Sequence, residues 1–226
     1  MSTAYDIPNT TAKVLLDVPA SATETVVLVL PGISGKVFSD RYQPLVDALV
    51  GGGIAVARLH SWESEEEVVD MTVEAIQRDI DLAVEFLLGQ GYAKIAAVGK
   101  SFGGGMMLAN TNAKVVAKVL WAPAIGVTEV GGTIAKLRTQ KLRELRLSLL
   151  DITLDHAHLA AYHGAVCLIH GTADQAIPFS NSEKIQARIP GSVLIPIEGA
   201  DHSYRDPAHE AQVIAHAVSF IRTSVR

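Results

Sequence analysis

Residues 95–105 read IAAVGKSFGGG, an apolar run that passes directly into glycines and small residues around one serine. The run 95–98 is typical of a buried strand, and the small residues after Ser101 favour a closely packed helix. Glycines two positions before and two after Ser101 leave space for a sharp, strained turn between these elements. We therefore predict a strand, a turn at Ser101, and a helix that begins directly after the serine.

Short apolar runs of the same kind recur along the chain and alternate with longer segments of helical period. This alternation is typical of crossover units, so we predict an α/β fold: a doubly wound, mainly parallel sheet flanked by helices. With 226 residues, the chain is expected to form one domain over residues 1–226. The predicted strands are 26–30, 54–58, 95–98, 115–121, 166–170 and 193–197, with 13–18 as a weaker candidate for an edge strand.

Two helical regions have distinctive sequences. The capping box Ser64-Glu65-Glu66-Glu67 predicts the start of a helix whose apolar residues, three and four apart, continue to Leu87. At about residues 123–164 the strand and helix alternation breaks, and two helices are predicted to form a small cap. The first cap helix is basic between Lys136 and Arg146, which indicates either a solvated face or a preference for anionic substrates or partners.

Composition excludes several classes of protein. The formal net charge of −5 argues against a nucleic-acid-binding role. We expect a cytoplasmic protein without a membrane partner, because the chain has no basic N-terminal start followed by an apolar stretch and no run of membrane-spanning length. The single cysteine, Cys167, is expected to be a buried thiol. His156 and His158 have no partners at the spacing of a zinc site, so no metal is expected.

Two downstream loops contain the groups that a reactive serine requires. A serine hydroxyl becomes a strong nucleophile when a base lies within hydrogen-bond reach and a third group orients that base. Asp174 follows the predicted strand 166–170, and His202 follows the predicted strand 193–197. Because ligands of open parallel sheets bind at the carboxyl ends of the strands, we expect Ser101, Asp174 and His202 to meet there.

Other residues near these motifs have alternative interpretations. Asp201, adjacent to His202, is a second candidate for the orienting acid, although a neighbour in sequence rarely points at its own imidazole. His170 is expected to stabilise its loop by hydrogen bonding. Trp62 and Trp121 each follow a strand, and they either line a substrate pocket or pack in the core.

Together, three motifs resemble those of the α/β-hydrolase superfamily, and the resemblance covers nearly the whole chain. They are GKSFG (99–103), HGTADQAIP (170–178) and GADH (199–202). In size and layout the chain is similar to the compact dienelactone-hydrolase-like branch, although that branch uses cysteine where this chain has Ser101.

The resemblance implies a role for each matching residue. Ser101 would be the nucleophile, His202 the general base and acid, and Asp174 the acid that orients the histidine. The backbone N–H groups of Phe102 and Ile33 would form the oxyanion hole. The loop that contains Ile33 lacks the run of glycines typical of some lipases and esterases, which argues against a large lipid substrate.

These motifs predict a serine hydrolase that cleaves a small carboxylic ester, such as a lactone or acyl-sugar, through an acyl-enzyme and without a cofactor. A peptidase or thioesterase would use the same three residues. A member of the fold that binds a small ligand without turnover is a further alternative. The sequence leaves the oligomeric state open.

Overall fold

The computed structural model describes residues 2–64, 67–68, 71–125, 162 and 164–225. Within these residues, eight strands form one sheet: β1 (Ser2–Asp6), β2 (Lys13–Asp17), β3 (Thr25–Leu30), β4 (Ala55–His60), β5 (Lys94–Lys100), β6 (Val115–Trp121), β7 (Ala165–Gly171) and β8 (Val193–Ile197). The same residues contain five α-helices: α1 (Gln43–Gly51), α2 (Val73–Gly89), α3 (Phe102–Ala109), α4 (Ser180–Gln186) and α5 (Pro207–Ser224). Of the predicted cap, 123–164, only 123–125, 162 and 164 are described, so the cap and its basic helix lie outside the described residues and stay a prediction.

The strands run in the order β1-β2-β4-β3-β5-β6-β7-β8. In this spatial order, every pair of neighbouring strands after β2 is parallel: β4-β3, β3-β5, β5-β6, β6-β7 and β7-β8. Strand β2 pairs antiparallel with both β1 and β4. The mainly parallel sheet confirms the predicted fold class. The prediction that 13–18 forms an edge strand was wrong, because β1 pairs along the whole length of β2 from the other side.

Both faces of the sheet are covered by helices. In β3, Val26, Leu28 and Leu30 pack in one core, and Val27 and Val29 pack in the other. Helices α2, α3 and α4 contribute to the first core, and α1 and α5 contribute to the second. This double burial explains the nearly continuous apolar sequence of the central strands.

Helix α2 begins later than the sequence predicts. The Ser64 hydroxyl does accept a hydrogen bond from the Glu67 N–H at 3.4 Å, as a capping box requires. The helix itself begins at Val73, where the Thr72 hydroxyl accepts a hydrogen bond from the Ala75 N–H at 3.1 Å. Residues 67–68 are helical, as the capping box predicts, but residues 71–72 are not, so the prediction of one continuous helix from Ser64 to Leu87 was wrong.

The parallel strands place four loops at one edge of the sheet. The loops after β3, β5, β7 and β8 all leave from the carboxyl ends of adjacent or nearby strands. This edge is where open α/β sheets bind ligands. Among the described residues, no helix is long and apolar enough to cross a membrane.

Candidate active site

Ser101 occupies the turn between β5 and α3 in a strained conformation. Its φ of +52° and ψ of −116° lie in a region that residues with a side chain rarely adopt. The turn is tied to the end of β6: the Ser101 N–H donates to the Trp121 carbonyl at 2.8 Å, and the Ser101 carbonyl accepts from the Ala124 N–H at 2.9 Å. The surrounding backbone therefore holds the serine in place against its local preference.

Two glycines of the predicted motif make this turn possible. A Cβ atom on Gly99 would lie 2.7 Å from the carbonyl oxygen of Gly103. A Cβ atom on Gly103 would lie 2.1 Å from the carbonyl oxygen of Pro31. Both distances are too short for real atoms, so the helix can pack on the strand and on the loop after β3 only with glycine at these positions.

We expect Gly103→Ala to destabilise the protein by about 1–3 kcal/mol, because its new methyl group displaces the Pro31 backbone. Urea denaturation measures the stability change. The matched control is Gly51→Ala at the end of α1, where a Cβ atom meets nothing within 4 Å and the change should stabilise the protein by about 0.4–1 kcal/mol through the unfolded chain. Equal stability of the two variants would contradict this account.

The structure brings Ser101, His202 and Asp174 into one chain of hydrogen bonds. The His202 Nε2 atom lies 3.1 Å from Ser101 Oγ, and His202 Nδ1 lies 2.7 Å from Asp174 Oδ2. Since a carboxylate can only accept, Nδ1–H donates to Asp174 and the lone pair of Nε2 faces the serine hydroxyl. This tautomer allows Ser101 to donate its proton to His202.

The side chain of Asp174 is fully buried, and both of its carboxylate oxygens are hydrogen-bonded. Oδ1 accepts from the N–H groups of Ala176 and Ile177, each at 2.8 Å. Oδ2 accepts from His202 and also lies 3.2 Å from His170 Nε2. Burial raises the pKa of Asp174, but the hydrogen bonds from His170 and His202 more than offset this and hold the pKa below its usual range. The carboxylate therefore stays ionised at neutral pH.

The loops after β7 and β8 contact each other closely, which brings Asp174 and His202 together. The Thr172 hydroxyl accepts from the Gly199 N–H at 2.8 Å, and the Ala173 N–H donates to the Ala200 carbonyl at 3.1 Å. A Cβ atom on Gly171 would lie 2.3 Å from that same carbonyl oxygen. A glycine at the end of β7 is therefore needed for this close approach.

Asp201, the alternative acid, has different partners. Its Oδ1 accepts from the N–H groups of Ser203 and Arg205 at 3.0 and 3.1 Å, and its Oδ2 lies 3.6 Å from Arg205 Nε. These contacts shape the loop around His202. The carboxylate that contacts the imidazole belongs to Asp174.

The two backbone groups predicted for an oxyanion hole belong to segments next to Ser101. Phe102 is the first residue of α3, where a helical N–H has no partner within its own helix. The loop that contains Ile33 approaches the serine, since a Cβ atom on Gly32 would lie 3.7 Å from Ser101 Cβ. Within the described residues, no hydrogen bond from the Phe102 or Ile33 N–H to a protein acceptor is present.

Trp62 and Tyr42 hold the Gly32 backbone from both sides. Trp62 Nε1 donates to the Gly32 carbonyl at 3.1 Å, and its ring packs edge-on against Phe102 at 5.5 Å. The Tyr42 hydroxyl accepts from the Gly32 N–H at 3.3 Å, and burial raises the pKa of Tyr42 to about 12.

Trp62 and Trp121 are only 1% and 7% exposed and belong to the cores on opposite faces of the sheet, so a role of either ring in a substrate pocket stays a prediction.

Sequence analysis missed Tyr42 and identified only part of the role of His170. Nothing in the local pattern distinguishes Tyr42 from other buried aromatic residues, because its partner lies in a separate loop. His170 was expected to stabilise its loop, and it does so, but its contact with Asp174 was not foreseen.

The described residues contain no group of three or more side chains placed to hold a metal ion, and His156 and His158 lie outside them.

The mainly parallel eight-stranded sheet and the strained turn at Ser101 between β5 and α3 define this protein as a serine hydrolase of the α/β-hydrolase superfamily. Residues 63–226, well over half of the chain, match the prolyl oligopeptidase family, and the chain belongs to that family. No curated protein sequence shows a significant match to this chain.

Solved structures show the same fold at low sequence identity. Est1E from Butyrivibrio proteoclasticus superposes with a TM-score of 0.79 at 18% identity, covering 99% of this chain and 98% of its own. A dienelactone hydrolase from Anabaena variabilis superposes with a TM-score of 0.77 at 18% identity, and the match covers 100% of this chain and 98% of the hydrolase. A monoacylglycerol lipase from Paleococcus ferrophilus superposes with a TM-score of 0.73 at 18% identity, and the match covers 93% of this chain and 99% of the lipase.

Proposed function

We propose that this protein hydrolyses a small carboxylic ester through an acyl-enzyme formed on Ser101. The chain of hydrogen bonds from Ser101 through His202 to Asp174 carries this proposal, because it combines a nucleophile, a base in the correct tautomer and a buried anion. The strained turn at Ser101 supports it further, since strain of this kind concentrates at functional sites.

Acylation begins when Ser101 Oγ attacks the carbonyl carbon of the ester and His202 Nε2 takes the hydroxyl proton. The carbonyl oxygen becomes an oxyanion that accepts hydrogen bonds from the Phe102 and Ile33 N–H groups. Asp174 stabilises the imidazolium that has formed. His202 then returns the proton to the leaving alcohol as the carbon–oxygen bond breaks, and the acyl group remains on Ser101.

Deacylation repeats these steps with water as the nucleophile. His202 takes a proton from water, whose oxygen attacks the acyl carbon, and the same two N–H groups stabilise the second oxyanion. His202 then protonates Ser101 Oγ, and the carboxylic acid is released. Each step moves only a proton or an acyl group, so this scheme uses no cofactor.

Three observations favour a small ester. The loop after β3 begins Pro31-Gly32-Ile33 and lacks the glycine run typical of some lipases and esterases, which argues against a large lipid substrate. Est1E, which shares the fold, has been solved with ferulic acid bound, and another protein of the same fold is a dienelactone hydrolase. We therefore propose short-chain, lactone or aromatic-acyl esters as the substrate class.

Membership of the prolyl oligopeptidase family favours peptide cleavage as a second candidate function. A peptidase or thioesterase would use Ser101, His202 and Asp174 in the same roles. The difference lies in the leaving group, because an amine must receive the proton of His202 as it departs, whereas an alcohol or thiol leaves more readily. A protein that only binds a ligand would retain the fold and release no product.

A matched substrate series tests these alternatives. We expect nitrophenyl esters from acetate to decanoate to be hydrolysed, with kcat/KM highest for the short acyl groups. Ethyl ferulate should be hydrolysed too, and the nitroanilide and thioester that carry the preferred acyl group should react more slowly than its ester. Faster cleavage of the nitroanilide would favour a peptidase. Binding of these compounds without release of any product would favour a non-catalytic protein.

A further inference from the structure

We infer that His170 is a positioning residue that fixes the carboxylate of Asp174 through Oδ2, the same oxygen that accepts from His202. This inference rests on the proposed function, because it assigns His170 a part in the same reaction. His170 lies at the end of β7, and its side chain is fully buried. It therefore cannot touch a substrate, and it acts only through the groups around it.

The partners of His170 define which of its nitrogen atoms donates. Nε2 lies 3.0 Å from the Ile177 carbonyl oxygen and 3.2 Å from Asp174 Oδ2. Both of these atoms can only accept, so Nε2 carries a hydrogen that is shared between them. Nδ1 lies 2.7 Å from the hydroxyl of Ser182, which is fully buried on α4. In the neutral ring, Ser182 donates to Nδ1 and thereby sets the orientation of the imidazole.

This arrangement separates the two tasks of holding and using the carboxylate. The loop fixes Oδ1 through the Ala176 and Ile177 N–H groups, whereas the reaction uses Oδ2. If His202 alone held Oδ2, the carboxylate could follow the imidazole as that ring gains and loses its proton. The His170 N–H holds Oδ2 from within the protein, so the carboxylate keeps its place throughout the cycle.

Two substitutions separate hydrogen bonding from packing. His170→Gln can present an amide N–H close to the position of Nε2, and His170→Leu fills a similar volume without a donor. Because His170→Leu leaves the Ser182 hydroxyl without its partner, we include His170→Leu/Ser182→Ala, which replaces both members of the pair by apolar groups. Thermal unfolding shows which of these variants are folded.

The first readout is the proton NMR resonance of the His202 Nδ1–H that donates to Asp174, which requires no turnover. We expect this resonance to persist in wild type and in His170→Gln, and to broaden through exchange with water in His170→Leu and in the double variant. The inference is overturned if the resonance is the same in all four proteins, or if His170→Gln loses it as fully as His170→Leu does.

The second readout is the kinetics of ester hydrolysis. We expect kcat of His170→Leu and of the double variant to fall about 10- to 100-fold, as for other residues that orient an active group, with KM unchanged. His170→Gln should recover most of the loss. An unchanged kcat in the double variant would overturn the inference. If wild type hydrolyses none of the esters, the proposed function fails, and the NMR comparison alone then decides the role of His170.

Discussion

Replacement of Ser101 by alanine should reduce kcat/KM for the best ester substrate on the order of 10⁶-fold, or about 8 kcal/mol of transition-state stabilisation. Alanine keeps the Cβ atom and therefore the backbone strain of the turn, so the variant loses little besides the hydroxyl group. Without Oγ, His202 has no nucleophile to activate, and only the oxyanion hole can stabilise a direct attack by water. Initial rates from matched purifications measure the effect.

A serine that lies away from the site provides the control for this loss. Ser192 precedes β8, and its hydroxyl donates to the Ile189 carbonyl at 2.7 Å. Ser192→Ala should hydrolyse esters at the wild-type rate. A fluorophosphonate probe should label wild type and Ser192→Ala, but not Ser101→Ala. If Ser101→Ala retains wild-type activity, another residue is the nucleophile and the proposed mechanism is wrong.

The parallel part of the sheet could be predicted because both of its faces are buried. Strands such as β3 and β7 then appear as continuous apolar runs bounded by loop residues. Strand β1, with the sequence STAYD, has no such signal, since its side chains are exposed or only partly buried. It is defined by its backbone pairing with β2, which no local pattern reveals.

The start of α2 shows a different limit of sequence reasoning. Ser64 and Thr72 both offer a hydroxyl to a backbone N–H three residues later, and both bonds form. Local chemistry therefore gives two N-caps, and helical residues follow both of them. The capping box at Ser64 correctly indicates a helical start, but residues 71–72 are not helical, so that start does not continue into α2.

The positions of the reactive residues could be predicted because each belongs to a short motif at the end of a strand. Ser101, Asp174 and His202 converge since parallel strands end at one edge. The groups that support them could not be predicted. Trp62 contacts Gly32, and His170 contacts Ser182, across gaps in the sequence that only the folded loops bridge. A motif thus identifies the candidate catalytic residues, whereas tertiary structure identifies what holds them.

The hydrogen bonds of Asp174 make a specific prediction for Asp174→Asn: kcat at neutral pH should fall about 10⁴-fold. The Ala176 and Ile177 N–H groups require an acceptor, so they retain the amide oxygen at the position of Oδ1. The amide nitrogen must then occupy the position of Oδ2, where it donates to His202 Nδ1, and the His170 N–H keeps only the Ile177 carbonyl as its acceptor. The imidazole is forced into the other tautomer, with Nε2–H facing Ser101, and it can no longer accept the serine proton.

The matched control for Asp174→Asn is the same change at the neighbouring acid. In Asp201→Asn the amide oxygen can still accept from the Ser203 and Arg205 N–H groups, and no contact with the imidazole is altered. We expect its kcat to stay within about 10-fold of wild type, in line with the modest cost of changing a partly exposed polar group. A collapse of kcat in Asp201→Asn with activity retained in Asp174→Asn would assign the orienting acid to Asp201, although Asp174 holds the 2.7 Å contact with His202.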